Sequence, residues 1–364
     1  MRIWVDITDA SAVVFFAPIV RRLEEAGHTV TLTARRFTGA DLILRRYGLG
    51  GVLTTQHRGG SLGTRAVGLI NRTAQLLGSA SSGRFDVAAG SHASDFVLTA
   101  WTLAIPQMTF FDDDRPGRGN AVNARLVDEI AMPDAVPAAS LAALGAPPQK
   151  VWLYPGFKEE YYLHDARPDP DALRRLGIDR RHVVGVVRPA ASGSPSPAGP
   201  APAAESALGE LLRGLAGRRH VTLVVVARDP GQRRRLLALE LPGVLVPDGP
   251  VDGVGLLASA DFMIGLGGAM TREAAALGTP AYAFSRRPAA AVDAALLADG
   301  RLRRAAGPDD VALRKKDTHT VALAPRDPGL FAGRLLDLAG RGSRRARVGR
   351  LLQDVADEPP APIV

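Results

Sequence analysis

The sequence predicts an α/β protein of two domains, each a parallel sheet with helices on both faces. Three observations carry that expectation. Apolar runs of strand length alternate with helical periodicity from the first residues onward. At 364 residues the chain can build two separate cores. The alternation also lapses once, over residues 154–170, and then resumes. We therefore expect an N-terminal domain over residues 1–160, a second over 161–340, and a helix with a tail over 341–364.

In chain order, Ile3-Trp4-Val5 reads as the first strand and residues 14–26 as an amphipathic helix stopped by Gly27. Strands follow near residues 28–33, 52–53, 85–89, 107–111, 130–132 and 151–153, with helices near 41–47, 65–77 and 95–103. Thr8/Asp9, His57, Ser91/His92 and Asp112 fall at strand ends, where ligands of such sheets bind. The second set has strands near 182–187, 221–226 and 244–246. Residues 190–204 are rich in Pro, Ala, Ser and Gly and predict a mobile loop. A helix near 330–338, a further one near 345–355 and a frayed Pro-rich end complete the chain.

The most informative stretch is Asp261-Phe262-Met263-Ile264-Gly265-Leu266-Gly267-Gly268-Ala269-Met270-Thr271-Arg272-Glu273, which continues through Gly278-Thr279-Pro280 into Ala281-Tyr282-Ala283-Phe284. It reads as strand, glycine loop, short helix, glycine stop and strand. Gly267 and Gly268 allow positive φ and leave no Cβ in a ligand's way. The free N–H groups of Ala269, Met270 and the rest of the first turn, together with the helix dipole, favour an anion. Arg272 can reach a phosphate, and Glu273 can accept hydrogen bonds from a diol such as ribose. Arg188, at the end of a strand, is the second phosphate candidate. An ordinary crossover with a tight glycine turn is the competing reading.

Composition narrows the classes. With no cysteine, disulfides, thiolate metal sites and thiol nucleophiles are excluded. No His/Asp/Glu cluster has ligand spacing, so no metal is expected. The N-terminus enters a strand directly, with Asp6 where a signal peptide would be apolar, and the reading is cytoplasmic. Net charge is +8, but the arginines are scattered and no aromatic-rich strand accompanies them, so nucleic acid is not an expected partner. Peripheral contact with an anionic membrane stays open.

Four strings, in order, carry a family resemblance. They are Trp4-Val5-Asp6-Ile7-Thr8 with Phe15-Phe16, His57-Arg58-Gly59-Gly60, Tyr154-Pro155-Gly156-Phe157-Lys158-Glu159-Glu160-Tyr161-Tyr162-Leu163, and Gly267-Gly268 through Pro280. On these the chain resembles the domain of unknown function 354 family over nearly its whole length. Its architecture resembles GT-B, two Rossmann-like domains with parallel sheets facing a central cleft, the fold of many glycosyltransferases and of UDP-GlcNAc 2-epimerases. The resemblance implies a nucleotide diphosphate sugar, a UDP-sugar, as substrate rather than a bound cofactor. The glycine loop and the following Glu would hold it, which here means Gly267, Gly268 and Glu273. The acceptor would be a small molecule, glycan or lipid.

The chain also departs from the family. After Ile7-Thr8, relatives usually show Asn, a small residue and then Pro-His, whereas here Asp9-Ala10-Ser11-Ala12 follows and no histidine stands at position 12. Residues 190–202 lack the aromatic and His residues that relatives carry after Val187-Arg188-Pro189. Three readings follow: glycosyltransferase first, then nucleotide-sugar 2-epimerase, then non-catalytic nucleotide-sugar binder. For the transferase, His92 and Asp112 are the candidate bases, against a plain loop histidine and an acidic helix cap. Asp9, Gly156, Lys158 and Glu159 are placed at the cleft or hinge, with Lys158–Glu159 read as an ion pair or as a phosphate contact.

Overall fold

A computed structural model describes residues 1–37, 39–54, 62–111, 120–190, 201–218, 220–266, 268–284, 288–317 and 324–342. The chain divides into two compact units, Met1–Lys158 with Asp327–Val364, and Glu159–Arg326. No helix among the described residues is long and apolar enough to cross a membrane.

The first unit runs β1 (Arg2–Ile7), α1 (Ala10–Glu25), β2 (Thr29–Arg35), α2 (Ala40–Arg46), β3 (Val52–Thr54), α3 (Leu62–Ser81), β4 (Val87–Ser91) and α4 (Ser94–Thr102). It continues through β5 (Gln107–Phe110), α5 (Asn120–Leu126), β6 (Glu129–Pro133), α6 (Ala138–Ala143) and β7 (Val151–Tyr154), and α7 (Lys158–Tyr162) crosses into the second unit. The strands form one sheet in the order β3-β2-β1-β4-β5-β6-β7. Every pairing is parallel. Helices cover both faces of such a sheet, so β4, β5 and β6 are buried over nearly their whole length rather than alternating.

In the second unit, α8 (Ala172–Arg175), β8 (Val183–Arg188), α9 (Ala201–Ala216), β9 (Val221–Val225), α10 (Pro230–Leu237) and β10 (Val244–Leu245) come first. Then follow α11 (Gly253–Ser259), β11 (Phe262–Gly265), α12 (Ala269–Ala276), β12 (Ala281–Phe284), α13 (Ala291–Ala298) and β13 (Leu302–Ala305). The parallel sheet has the order β10-β9-β8-β11-β12-β13. Its core joins Val187, Leu223, Phe262, Ile264 and Tyr282 from the strands to Leu211, Leu212 and Leu215 of α9. The fold is GT-B-like, two α/β units each on a parallel sheet.

Two sequence expectations change. The expected loop at 190–204 is shorter at its far end, because α9 begins at Ala201; residues 191–200 lie outside the described residues, as do the expected helix near 345–355 and the chain end. The last helix, α14 (Gly329–Arg341), belongs to the first unit rather than to a domain ending at 340. Phe331 explains this. Fully buried, it stands with ring centroids 5.0–5.7 Å from Phe15, Phe110, Trp152 and Tyr154. On the polar side of the same helix, Arg334 and Arg341 both pair with Glu129 at 2.5 Å.

A buried charge network ties β1, β2, α3 and α4 together. Arg72 of α3 reaches Asp6 of β1 at 2.7 Å and Asp95 of α4 at 2.9 Å, and Arg35 closes on Asp95 at 2.9 Å. Thr33 Oγ1 donates to Asp6 Oδ1 at 2.6 Å and accepts from the Trp4 indole at 2.9 Å. Burial raises the Asp6 carboxyl above its ordinary value despite Arg72. Burial pushes Asp95 up as well, but Arg72 and Arg35 outweigh it and hold that carboxyl below the ordinary value.

Removing one member of a buried pair leaves the other uncompensated, at a typical loss of about 3–5 kcal/mol. Arg72→Met is therefore expected to destabilise the first unit by that amount. All three tryptophans, Trp4, Trp101 and Trp152, lie in this unit, so tryptophan emission during urea unfolding reads it alone. A loss below about 1 kcal/mol would remove the network from the account. The pH dependence is signed. A lowered folded-state value means that the Asp95 contribution is present above the unfolded carboxylate value and is lost as pH falls through the folded one. Asp6 has the opposite sign. Asp95→Asn should flatten the acid limb of the same emission signal, and Asp6→Asn should not.

Candidate functional site

In the second unit the strand order changes direction between β8 and β11, and a crevice forms beyond the carboxyl ends of strands at such a point. Three adjacent strand ends meet there. Gly265 closes β11 in register with Arg188, the last residue of β8, and Leu266 N–H donates to the Arg188 carbonyl at 3.0 Å. Arg228 follows the end of β9.

The turn from β11 into α12 is a steric fit. A Cβ built on Gly265 would lie 1.7 Å from Thr271 Oγ1, so the Thr271 side chain occupies the space that any other residue would need. Gly268, the residue before α12, has φ +108°, a conformation that side-chain-bearing residues rarely adopt. Gly268, as N-cap, brings no side chain to the helix start, where Gly268 is exposed and Ala269 and Met270 are half-buried. Gly267 lies outside the described residues.

Two guanidinium groups stand at this turn. Arg188 Nη1 donates to the carbonyls of Val226 at 2.8 Å and Ala227 at 3.0 Å, while Arg228 Nε donates to the Pro189 carbonyl at 2.7 Å. Each thus grips the loop that carries the other. Arg228 Nη2 would be 3.0 Å from a Cβ on residue 268, so the glycine is what lets it approach the turn. Burial, and then the Arg228 charge, lower the Arg188 guanidinium to about 10, with Glu273 opposing. Burial also lowers Arg228. Both remain cationic at neutral pH. Glu273, half-buried one turn into α12, accepts a hydrogen bond from Tyr162 Oη at 2.5 Å. Cations, free helix N–H groups and a half-buried acceptor together suit an anionic ligand that also carries hydroxyls.

Arg272 is held by α13 at this site. Expected at a phosphate, it is buried, and its Nε donates to Asp293 Oδ1 of α13 at 2.6 Å, an ion pair that locks two helices. The side chain that reaches the turn is Arg228, which sequence reading missed. Its one sequence signal is its place just after a strand, followed by the Asp229-Pro230 helix start.

In the first unit the strand order changes direction between β1 and β4. Asp9 follows β1, but its Oδ1 accepts from Ser11 N at 2.8 Å, Ser11 Oγ at 2.7 Å and Ala12 N at 3.0 Å. It caps α1 through that oxygen. Ala12 is buried in that first turn. His92 follows β4, half-buried, with Nε2 3.3 Å from Asn123 Nδ2 and its ring 3.6 Å from that of Phe111. Asp112 and His57 lie outside the described residues. At the crossover Gly156 has φ +72° and donates its N–H to Asp134 at 3.0 Å. Lys158 is half-buried, Glu159 fully buried, and Glu160 pairs with Arg326 at 2.9 Å, tying the outgoing and returning passages of the chain together.

Residues 1–316 match the family described as protein of unknown function (DUF354). The chain belongs to this family. It is 26% identical, over 82% of its length and 86% of the other, to the uncharacterized protein MJ0665 of Methanocaldococcus jannaschii. Among solved structures it is similar to the UDP-GlcNAc 2-epimerase of M. jannaschii in complex with UDP-GlcNAc and UDP, with TM-score 0.68, 13% identity, and 94% of this chain and 100% of that chain covered. It is likewise similar to the UDP-N-acetylglucosamine 2-epimerase of Rickettsia bellii, with TM-score 0.67, 14% identity, and 93% and 95% covered. The glycotransferase of kitacinnamycin aligns with TM-score 0.52, 14% identity, and 93% and 90% covered. At such identities the likeness shows the fold.

The steric reading of the turn is open to direct test. Gly265→Ala should displace Thr271 and loosen β11 and α12, seen as faster amide exchange over residues 262–276. Adding Thr271→Ala should restore part of the protection. Native exchange in the single variant would mean that the turn has slack.

Proposed function

We propose that the second unit binds a nucleotide diphosphate sugar, a UDP-sugar, and that the protein transfers its glycosyl group to an acceptor. The observation that carries this reading is the pair of arginines, Arg188 and Arg228, gathered beside Gly268 and the uncapped start of α12. The diphosphate would take the helix N–H groups and the two guanidiniums, and Glu273 would accept from the ribose hydroxyls. The same cations would stabilise the charge that grows on a departing nucleoside diphosphate. His92 is the proposed base for the acceptor hydroxyl, its ring positioned by Asn123 and Phe111; Asp112 is the other. Solved structures of similar fold that bind UDP-GlcNAc or UDP support the ligand class. Because the highest TM-scores quoted above belong to 2-epimerases, epimerisation at C2 of the sugar is the second reading.

Calorimetry with UDP tests the ligand. Glu273→Ala removes charge-assisted hydrogen bonds worth roughly 1.5–3 kcal/mol each, so affinity should fall about tenfold or more. Arg228→Ala should do at least as much, and Gly268→Val should abolish binding. Unchanged affinity in all three would overturn the donor site. Turnover of UDP-sugars with and without acceptor alcohols then separates transfer, which needs the acceptor, from epimerisation, which does not. His92→Ala should lower kcat at least a hundredfold while leaving UDP affinity intact.

A further inference from the structure

The amino ends of β11, β12 and β13 form a second cationic hollow in the same unit, at the opposite edge of the sheet from Arg188 and Arg228. A cavity of about 480 Å³ lies there, floored by the Gly278-Thr279-Pro280 turn after α12. That volume suits a small molecule. Five cations, Arg301, Arg303, Arg314, Lys315 and Lys316, face two acids, Asp261 and Asp317.

The lysines build the wall. Lys315 Nζ donates to the carbonyls of Arg180 and His182 and pairs with Asp261 at 2.8 Å. Lys316 Nζ donates to the Ala258 carbonyl at 2.6 Å and to Thr279 Oγ1 at 3.1 Å. Asp261 is buried and already answered, since Val184 N and Lys316 N also donate to it, each at 2.8 Å. It therefore cannot neutralise the rest of the hollow.

The arginines are different. Arg301, Arg303 and Arg314 are exposed, and among the described residues none of them has a carboxylate partner. Arg174, Arg181 and Arg218, also exposed in this unit, pair with Asp171, Asp179 and Asp309. Three unanswered guanidiniums converging on a concave site raise the local potential and concentrate anions. Their planar donor sets match phosphate oxygens in pairs. Burial, opposed by Asp261 but reinforced by Lys315, lowers the Lys316 ammonium, a strain that a bound anion would relieve.

We propose that this hollow is a binding site for a small phosphate-bearing anion, separate from the site at α12. Free pyrophosphate and a sugar phosphate share the chemistry it would recognise.

Calorimetry at low salt with inorganic pyrophosphate tests the proposal on the full chain. Arg228→Ala, which weakens the α12 site at least tenfold, should still bind pyrophosphate. The triple variant Arg301→Gln/Arg303→Gln/Arg314→Gln in that background should lose it by tenfold or more. Arg314→Gln alone, an exposed change that leaves the fold intact, should weaken it severalfold. A parallel titration with glucose 6-phosphate asks whether the organic group adds affinity over the bare anion, and binding of either with the same loss in the triple variant supports the site. Equal pyrophosphate affinity in the Arg228→Ala protein with and without the triple change would overturn it. So would binding only to phosphatidylglycerol vesicles, which would make the arginines a membrane-facing surface.

Discussion

Thr271 folds its side chain over Gly265, and the rest of the second unit's site depends on that contact. With no Cβ on residue 265, α12 can start almost on top of the strand that precedes it. Its N-terminus is thereby set at the carboxyl edge of the sheet, beside the ends of β8 and β9. Arg188 and Arg228 are fixed to that same edge by hydrogen bonds to backbone carbonyls. Their positions therefore follow from the strand pairing itself, which is the stiffest part of the unit. Glu273 comes next along α12, with Tyr162 holding one carboxylate oxygen. A ligand that engages Glu273 meets an acceptor already oriented.

Where a signal was local, the sequence carried it; where the signal was contact between distant segments, it did not. The strand-glycine-helix-strand unit was readable because four elements sit within residues 261–284 and each has its own period and stop. Arg188 was readable as the end of an apolar run. Arg228 was not, because its place beside Gly268 arises only when β9 pairs with β8, forty residues away, and β8 with β11. The Arg272 ion pair was not legible for a related reason. Its position on the helix was known, but which side meets a ligand and which meets Asp293 depends on where α13 packs. The strand β13 escaped because Leu-Arg-Arg-Ala reads as surface, its two arginines standing on an edge strand. The membership of α14 escaped because nothing near residue 331 reports that its phenyl ring completes an aromatic cluster built from residues 15, 110, 152 and 154.

The two units handle buried charge in opposite ways, and the contrast separates structure from function. In the first unit Arg72 is fully buried, and two aspartates answer it at ion-pair distance. Such a network holds secondary elements in register and leaves no charge over for a ligand. Asp9 likewise serves the fold, as the cap of α1. In the second unit Arg188 and Arg228 are also largely removed from water, yet they face each other as like charges.

That arrangement has a physical consequence. Desolvation disfavours both cationic forms, and at Arg188 the Arg228 charge adds to it while Glu273 opposes. The carbonyls supply dipoles, and Glu273, half-buried and bonded to Tyr162, adds a negative charge that favours the Arg188 cation. A fold that kept these arginines for structure alone would gain by replacing one of them with a neutral donor to the same carbonyls. A dianion placed against both guanidiniums and the α12 N–H groups removes the repulsion and regains the hydration energy given up on burial. Under the proposed function, that unfavourable burial of like charges becomes differential affinity for a diphosphate.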